Sequence, residues 1–300
     1  MYHYWAYGLL VASEMEFPEL LPYVFEEQDV TIRLGKTPEA LTGDGVVHKV
    51  RVSISPNEYL LKFLNVANYY AARGNEIIIE PLPDGDEKSV RLFALSNAFA
   101  AILYQRNLIP LHASGIFYEK GVALFCGASG AGKSTTITAL QQKGYRVFTD
   151  DVCVLQQQPD GSVTAVPSYP MIKLWEDSFE KNGLMMVDEE KRLRPELPKY
   201  ANFFHANFFT QPQLIKQIFV LEQNNLGDGV HINPLTALQA FDEIQKNVYR
   251  PLQLTSMKKR NILFSFVNHL IKNTATYKIN RPSNRNTLPE LLLQIETKLV

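Results

Sequence analysis

The 300-residue sequence predicts an α/β fold in which a phosphate-binding-loop domain follows a small β-rich unit. Three observations predict it. Residues 127–135 spell a complete Gly-x-x-x-x-Gly-Lys-[Ser/Thr] loop. An apolar, strand-like run at 121–126 precedes that loop, and a helix-compatible segment begins at Ser134, which is the required order. Before about residue 84 the chain breaks instead into short runs separated by Pro and Gly.

The loop is Gly127, Ala128, Ser129, Gly130, Ala131, Gly132, Lys133, Ser134 and Thr135. Its glycines let the backbone curl so that several N–H groups face one anion, and the following helix adds its positive end. Lys133 is then placed to reach the β- and γ-phosphates, and the Ser134 hydroxyl to ligate a Mg²⁺ that bridges them.

In chain order, strands are predicted at 6–11, 30–34, 46–54 and 76–80, and the segment 57–67 fits either a short helix or a buried strand. Pro81-Leu-Pro-Asp-Gly-Asp marks a boundary, so residues 1–84 read as an accessory domain and 85–300 as the catalytic one. Apolar residues at helical spacing predict a long helix over 89–105. A hairpin over 111–126, turning at Glu119-Lys-Gly121, leads into the loop. Gly144 ends the loop helix, and the strand at 145–149 runs into Asp150 and Asp151. Strand, helix and strand with a right-handed crossover makes the two strands parallel, so Gly127 and the acid pair are expected at one sheet edge.

A hairpin is predicted over 152–166, and a strand at 217–222. Between them, 191–200 reads as a basic, proline-marked loop whose Arg192, Arg194 and Lys199 are candidates to clamp an anion, followed by an aromatic run at 202–209. Helices are predicted over 235–248, 256–272 and 287–299.

A formal charge of −1 excludes a strongly basic nucleic-acid binder by bulk electrostatics. Cys126 and Cys153 have neither disulfide nor metal-ligand spacing and read as core residues. The opening segment has no basic leader, its apolar run stops at Glu14, and no apolar stretch approaches the ~18 residues of a membrane span. A cytoplasmic protein with no membrane or nucleic-acid partner is expected; a homo-oligomer stays open.

Leu111-His112-Ala-Ser-Gly, the loop at 127–135 and Thr149-Asp150-Asp151 together resemble the catalytic domain of HPr kinase/phosphorylase, most closely over residues 108–155. That family also carries a histidine, a strand turn, a Gly-x-Ser-Gly-x-Gly-Lys-Ser loop and an acid pair after the next strand. The resemblance implies a phosphate-loop kinase domain of the HPr kinase and PEP carboxykinase-like type with a mixed sheet. It implies ATP or another nucleoside triphosphate as donor, Mg²⁺, and a serine hydroxyl as acceptor. Asp151 is then the general base, His112 a catalytic-site residue beside Lys133, and Asp150 a metal support next to Ser134. The family's Glu-Ile-Arg-Gly-Leu-Gly segment has no counterpart; Tyr169-Pro-Met-Ile-Lys-Leu-Trp-Glu stands there instead. The reverse reaction and the HPr carrier therefore lie outside what the resemblance implies. The layout resembles more the HPr-kinase-like proteins of peptide-tailoring clusters; the acceptor stays open among a ribosomal peptide, a protein serine and a small molecule. Two other classes fit the loop: a nucleotide-hydrolysing switch, and a nucleotide-binding protein without transfer.

Overall fold

The computed structural model describes residues 1–183, 188–224 and 229–299 as a mixed α/β chain. Its first sheet uses β1 (Tyr2–Ala6), β2 (Leu9–Ser13), β3 (Leu21–Pro22), β4 (Val30–Leu34) and β5 (Val47–His48), together with β6 (Val52–Ile54), β7 (Glu58–Phe63), β8 (Ala67–Ala72) and β9 (Glu76–Pro81). They lie in the order β3-β1-β2-β4-β9-β8-β7-β6-β5, with β2, β4 and β9 mutually parallel and the other pairs antiparallel. The ambiguous 57–67 segment is thus strand.

The predicted strand at 6–11 is instead the hairpin of β1 and β2. Tyr7 and Gly8 form its two-residue turn with φ of 57° and 82°, the left-handed pair that suits strand twist. The turn was hidden because it is apolar: Tyr7 is 2% exposed and docks on the rest of the chain. Its N–H donates to Ser168 O at 2.7 Å and its hydroxyl to Leu95 O at 2.8 Å. A Cβ added at Gly8 would lie 2.9 Å from Val166 Cγ1. Gly8→Ala therefore meets both a left-handed backbone and a clash, and is expected to lower stability by about 1–3 kcal/mol in urea unfolding. No loss would mean that this docking is loose.

The predicted long helix forms as α1 (Glu87–Phe93), a π-helical turn at Ala94–Ala98 and α2 (Phe99–Gln105). Asp86 caps it, accepting from Ser89 N–H at 2.8 Å. From Ala94 to Tyr104 every residue is buried, as expected of a helix with apolar groups all round. Its residues share one core cluster with Val11, Ile32, Tyr69 and Ile79 of the first sheet and Ile109, Leu124 and Val154 of the next.

The second sheet comprises β10 (Ile109–Leu111), β11 (Ala113–Tyr118), β12 (Gly121–Cys126), β13 (Val147–Thr149), β14 (Cys153–Gln157) and β15 (Val163–Pro167). Helix α3 (Lys133–Gln142) joins β12 to β13. A separate three-stranded sheet, order β16-β18-β17, is made by β16 (Met171–Trp175), β17 (Arg192–Arg194) and β18 (Leu197–Phe203), with α4 (Glu176–Lys181) after β16. Later strands β19 (Gln213–Asn224), β20 (His231–Pro234) and β21 (Ala275–Pro282) complete the second sheet, whose order is β10-β14-β15-β19-β12-β11-β13, with β21 on β19 and β20 on β21. The aromatic run at 202–209 leaves β18 for a short 3₁₀ turn at His205–Asn207.

The C-terminal helices are α5 (Ala237–Lys246), α6 (Pro251–Ser256), α7 (Arg260–Asn273) and α8 (Leu288–Glu296). Thr236 and Gln239 give α5 a capping box. The helix predicted over 256–272 starts later because Lys258, at φ 60°, breaks it from α6. Strands β16, β20 and β21 were not foreseen. Cys126 and Cys153 are buried free thiols, and burial pushes Cys126 up to about 12. Among the described residues no helix is long and apolar enough to cross a membrane.

Candidate active site

Topology brings the site together. Both β12 and β13 pair antiparallel with β11 and so are parallel to each other, with β11 between them. The ends of β12 and β13 and the start of β11 therefore meet at one edge, which places Gly127, Asp150 and His112 side by side. Strands β19 and β21 run parallel to β12, so Gln223 and Arg281 reach the same lip. A cavity of about 530 Å³ opens there, lined among others by Lys133, Ser134, Asp151, Trp175, Lys199 and Arg281.

The loop is held at both ends. Gly127 N–H donates to Asn247 Oδ1 at 2.7 Å, while Ala131 O accepts from Arg281 Nη2 at 2.6 Å. Ala128, Ser129 and Gly130 form its exposed tip. Gly132, at φ 91°, starts α3, whose first-turn N–H groups lack intrahelical acceptors by construction. Thr135 Oγ1 lies 2.9 Å from Ser178 Oγ on α4, away from the acid pair.

Lys133 is buried and uses its three donors on neutral acceptors: Gly127 O at 2.7 Å, Ala128 O at 3.1 Å and His112 Nε2 at 2.9 Å. An ammonium only donates, so Nε2 accepts and the proton of a neutral His112 sits on Nδ1, which donates to Asp151 O at 2.9 Å. Burial lowers the pKa of His112, and the Lys133 charge adds to that against the pull of Asp151. Burial likewise lowers that of Lys133.

Asp150 is 2% exposed and fully engaged. Its Oδ1 accepts from Ser114 Oγ at 2.6 Å and Ser134 Oγ at 2.8 Å, and its Oδ2 from Lys173 N–H at 2.8 Å. A loop hydroxyl and a carboxylate oxygen in contact are hard donors that suit Mg²⁺, which takes few protein ligands and completes its shell with phosphate oxygens and water. Among the described residues no cluster of three or more His, Cys, Asp or Glu could hold a metal alone.

Asp151 sits in a tight turn in which Val152 N–H donates to Asp150 O at 2.7 Å, with φ at 66°. That conformation costs on the order of 1–3 kcal/mol. It turns the carboxylate to the cavity, where Oδ2 meets Lys173 Nζ at 2.7 Å and Oδ1 lies 3.5 Å from His112 Nδ1. Burial alone would raise the Asp151 carboxyl, but the charges of Lys173 and Lys199 outweigh it and hold it well below the usual carboxylate range.

Lys173 is 5% exposed and comes from β16. Pairing of β16 with β18 sets Trp175 against Lys199 and Lys173 against Ala201, so alternation puts Lys173, Trp175 and Lys199 on one face. Lys199 Nζ rests over the Trp175 ring at 5.4 Å. Arg192 and Arg194 do not join it. The predicted basic loop is the β17–β18 hairpin, and β17 is the outer strand. Arg192 Nη2 donates to Glu189 at 3.1 Å and to the Tyr200 hydroxyl at 2.8 Å, and Arg194 pairs with Glu196 at 2.8 Å.

Sequence reasoning missed Lys173, Ser114, Asn247 and Arg281 as site residues. A lysine within the apolar run Met171-Ile-Lys-Leu was the available signal, because lysines are rarely buried without a partner. No family model matches the chain, and no curated protein matches it. Among solved structures, the HPr(Ser) kinase/phosphatase from Coxiella burnetii is similar at 15% sequence identity and a TM-score of 0.32, over 63% of this chain and 96% of that one. That likeness is a distant structural relationship, and the chemistry rests on the side chains alone.

Proposed function

We propose that this protein is a nucleoside-triphosphate-dependent kinase that transfers the γ-phosphoryl group to a serine-type hydroxyl of a peptide, a protein or a small molecule. The observation that carries the reading is the contact of Ser134 Oγ with Asp150 at 2.8 Å while the neighbouring Asp151 carboxylate faces the same cavity as Lys133. A phosphate cradle, a pair of hard metal donors and a base thus share one lip.

In this reading the 127–135 backbone and the α3 terminus hold the phosphate chain, and Lys133 leaves its neutral acceptors for the β- and γ-oxygens. Mg²⁺, when bound beside Ser134 and Asp150, offsets the charge on the phosphate oxygens. Asp151 Oδ1, the oxygen not taken by Lys173, accepts the hydroxyl proton as the hydroxyl oxygen bonds to the γ-phosphorus and the bond from that phosphorus to the β–γ bridging oxygen breaks, which releases the nucleoside diphosphate. Neutral His112 keeps its Nδ1 proton on the Asp151 carbonyl and fixes that turn.

Incubation with ATP labelled at the γ-phosphate, Mg²⁺ and candidate hydroxyl acceptors tests the reading. Label on an acceptor supports it; free phosphate alone indicates a hydrolase, and bound nucleotide with neither product a binding protein. Lys133→Ala is expected to weaken ATP binding by at least about tenfold, the scale of a lost charge-assisted contact. Titration calorimetry checks this, and undiminished binding would remove the loop from the nucleotide site.

A further inference from the structure

Among the described residues, two cations at the cavity lip are buried against neutral acceptors only. Lys133 is the one that the loop motif supplies. The other is Arg281, near the end of β21, which is 9% exposed. Its Nη2 donates to Ala131 O at 2.6 Å and its Nη1 to Thr287 Oγ1 at 3.4 Å. Its Nε is buried without a partner. Among the described residues no carboxylate lies within ion-pair distance of it.

A buried guanidinium with no counter-charge carries a desolvation cost that two neutral acceptors do not return. Burial lowers its pKa, which is the same penalty seen from the proton. Its placement suggests what offsets the cost. A Cβ at Gly132 would lie 2.3 Å from Nη2, so the guanidinium presses on the last turn of the loop through the gap that glycine leaves. Lys133 Nζ sits at the opposite end of the loop, on Gly127 and Ala128. An anion in the curl is therefore flanked by both cations.

We infer that Arg281 is a second phosphate-binding cation of this site, donating from its guanidinium to the phosphate chain of the nucleotide beside Lys133. The inference rests on the nucleotide reading above and adds a residue that the loop motif does not contain. Arginine suits the task because its planar fork holds two phosphate oxygens at once.

The test titrates inorganic tripolyphosphate, which has no nucleoside, and MgATP against wild type, Arg281→Met and Arg281→Lys, and records the thermal midpoint of each without ligand. Arg281→Met should weaken both ligands by a similar factor, roughly 10- to 100-fold for a charge-assisted contact. Its ligand-free midpoint should not fall, since an uncompensated buried charge has been removed. Wild-type affinity of Arg281→Met for tripolyphosphate overturns the inference. If Arg281→Met does not fold, Arg281→Lys decides: several-fold weaker binding supports the role, whereas wild-type affinity, or a second failure to fold, makes Arg281 part of the scaffold. A wild type that binds neither probe refutes the nucleotide reading itself, which is a different outcome.

Discussion

Asp151→Asn is expected to lower phosphoryl transfer on the order of 10²-fold or more, the scale of a general-base contribution, with ATP affinity within a few-fold of wild type. Asparagine is the informative replacement for a backbone reason. Asp151 has φ of 66°, a left-handed conformation that Asn adopts readily and Ala does not, so the turn and its Val152–Asp150 hydrogen bond survive. The amide oxygen can still accept from Lys173 Nζ, which in the wild type is 2.7 Å from Oδ2. What is lost is the negative charge and the capacity to take a proton. The Asp151 carboxyl is held low by Lys173 and Lys199, so it is ionised throughout the neutral range and ready to accept, though a weak base. Weak basicity suits phosphoryl transfer, where positioning and charge neutralisation carry most of the rate. Single-turnover transfer alongside equilibrium ATP binding checks the expectation. Undiminished transfer would take Asp151 out of the role, and Asp150, buried and already accepting from Ser114, Ser134 and the Lys173 amide, is poorly placed to replace it.

The loop was legible because its whole specification is local: nine consecutive residues carry the curl, the cation and the hydroxyl. His112 and the acid pair were legible one step further out, since the strand order around α3 forces those ends to one edge. Lys173, Asn247 and Arg281 were not. They reach the loop and the acid pair from 22, 120 and 150 residues away through pairing that no periodicity encodes. The same reason defeated the basic cluster. Charge composition placed Arg192, Arg194 and Lys199 together, but hairpin geometry sends Lys199 to the cavity and leaves both arginines on the outer strand with Glu189 and Glu196. The Tyr7-Gly8 turn was invisible for the opposite reason: its first residue is a buried tyrosine, so the usual polar punctuation is missing.

Lys173→Met tests whether the buried Lys173–Asp151 ion pair is structural, chemical or both. Lys173 is 5% exposed and raised well above its ordinary pKa: burial opposes its charge, but Asp151, Tyr169 and Tyr249 more than reverse that. Removing it leaves the Asp151 carboxylate without its nearest counter-charge, and breaking a buried pair from one side costs about 3–5 kcal/mol. Met fills the volume, so the loss reports charge rather than a cavity. The double variant Lys173→Met/Asp151→Asn removes both charges and should recover most of that loss, because the penalty belongs to the orphaned ion rather than to the missing bridge. Activity should not follow stability. The double variant, although more stable than Lys173→Met, is expected to stay as slow as Asp151→Asn, since it too lacks the proposed base. Urea unfolding of the four proteins in the cycle, with transfer rates measured on the same samples, separates the two roles. A cost below about 1 kcal/mol for Lys173→Met, the range of exposed pairs, would mean that water reaches the carboxylate and that Lys173 does not set its orientation.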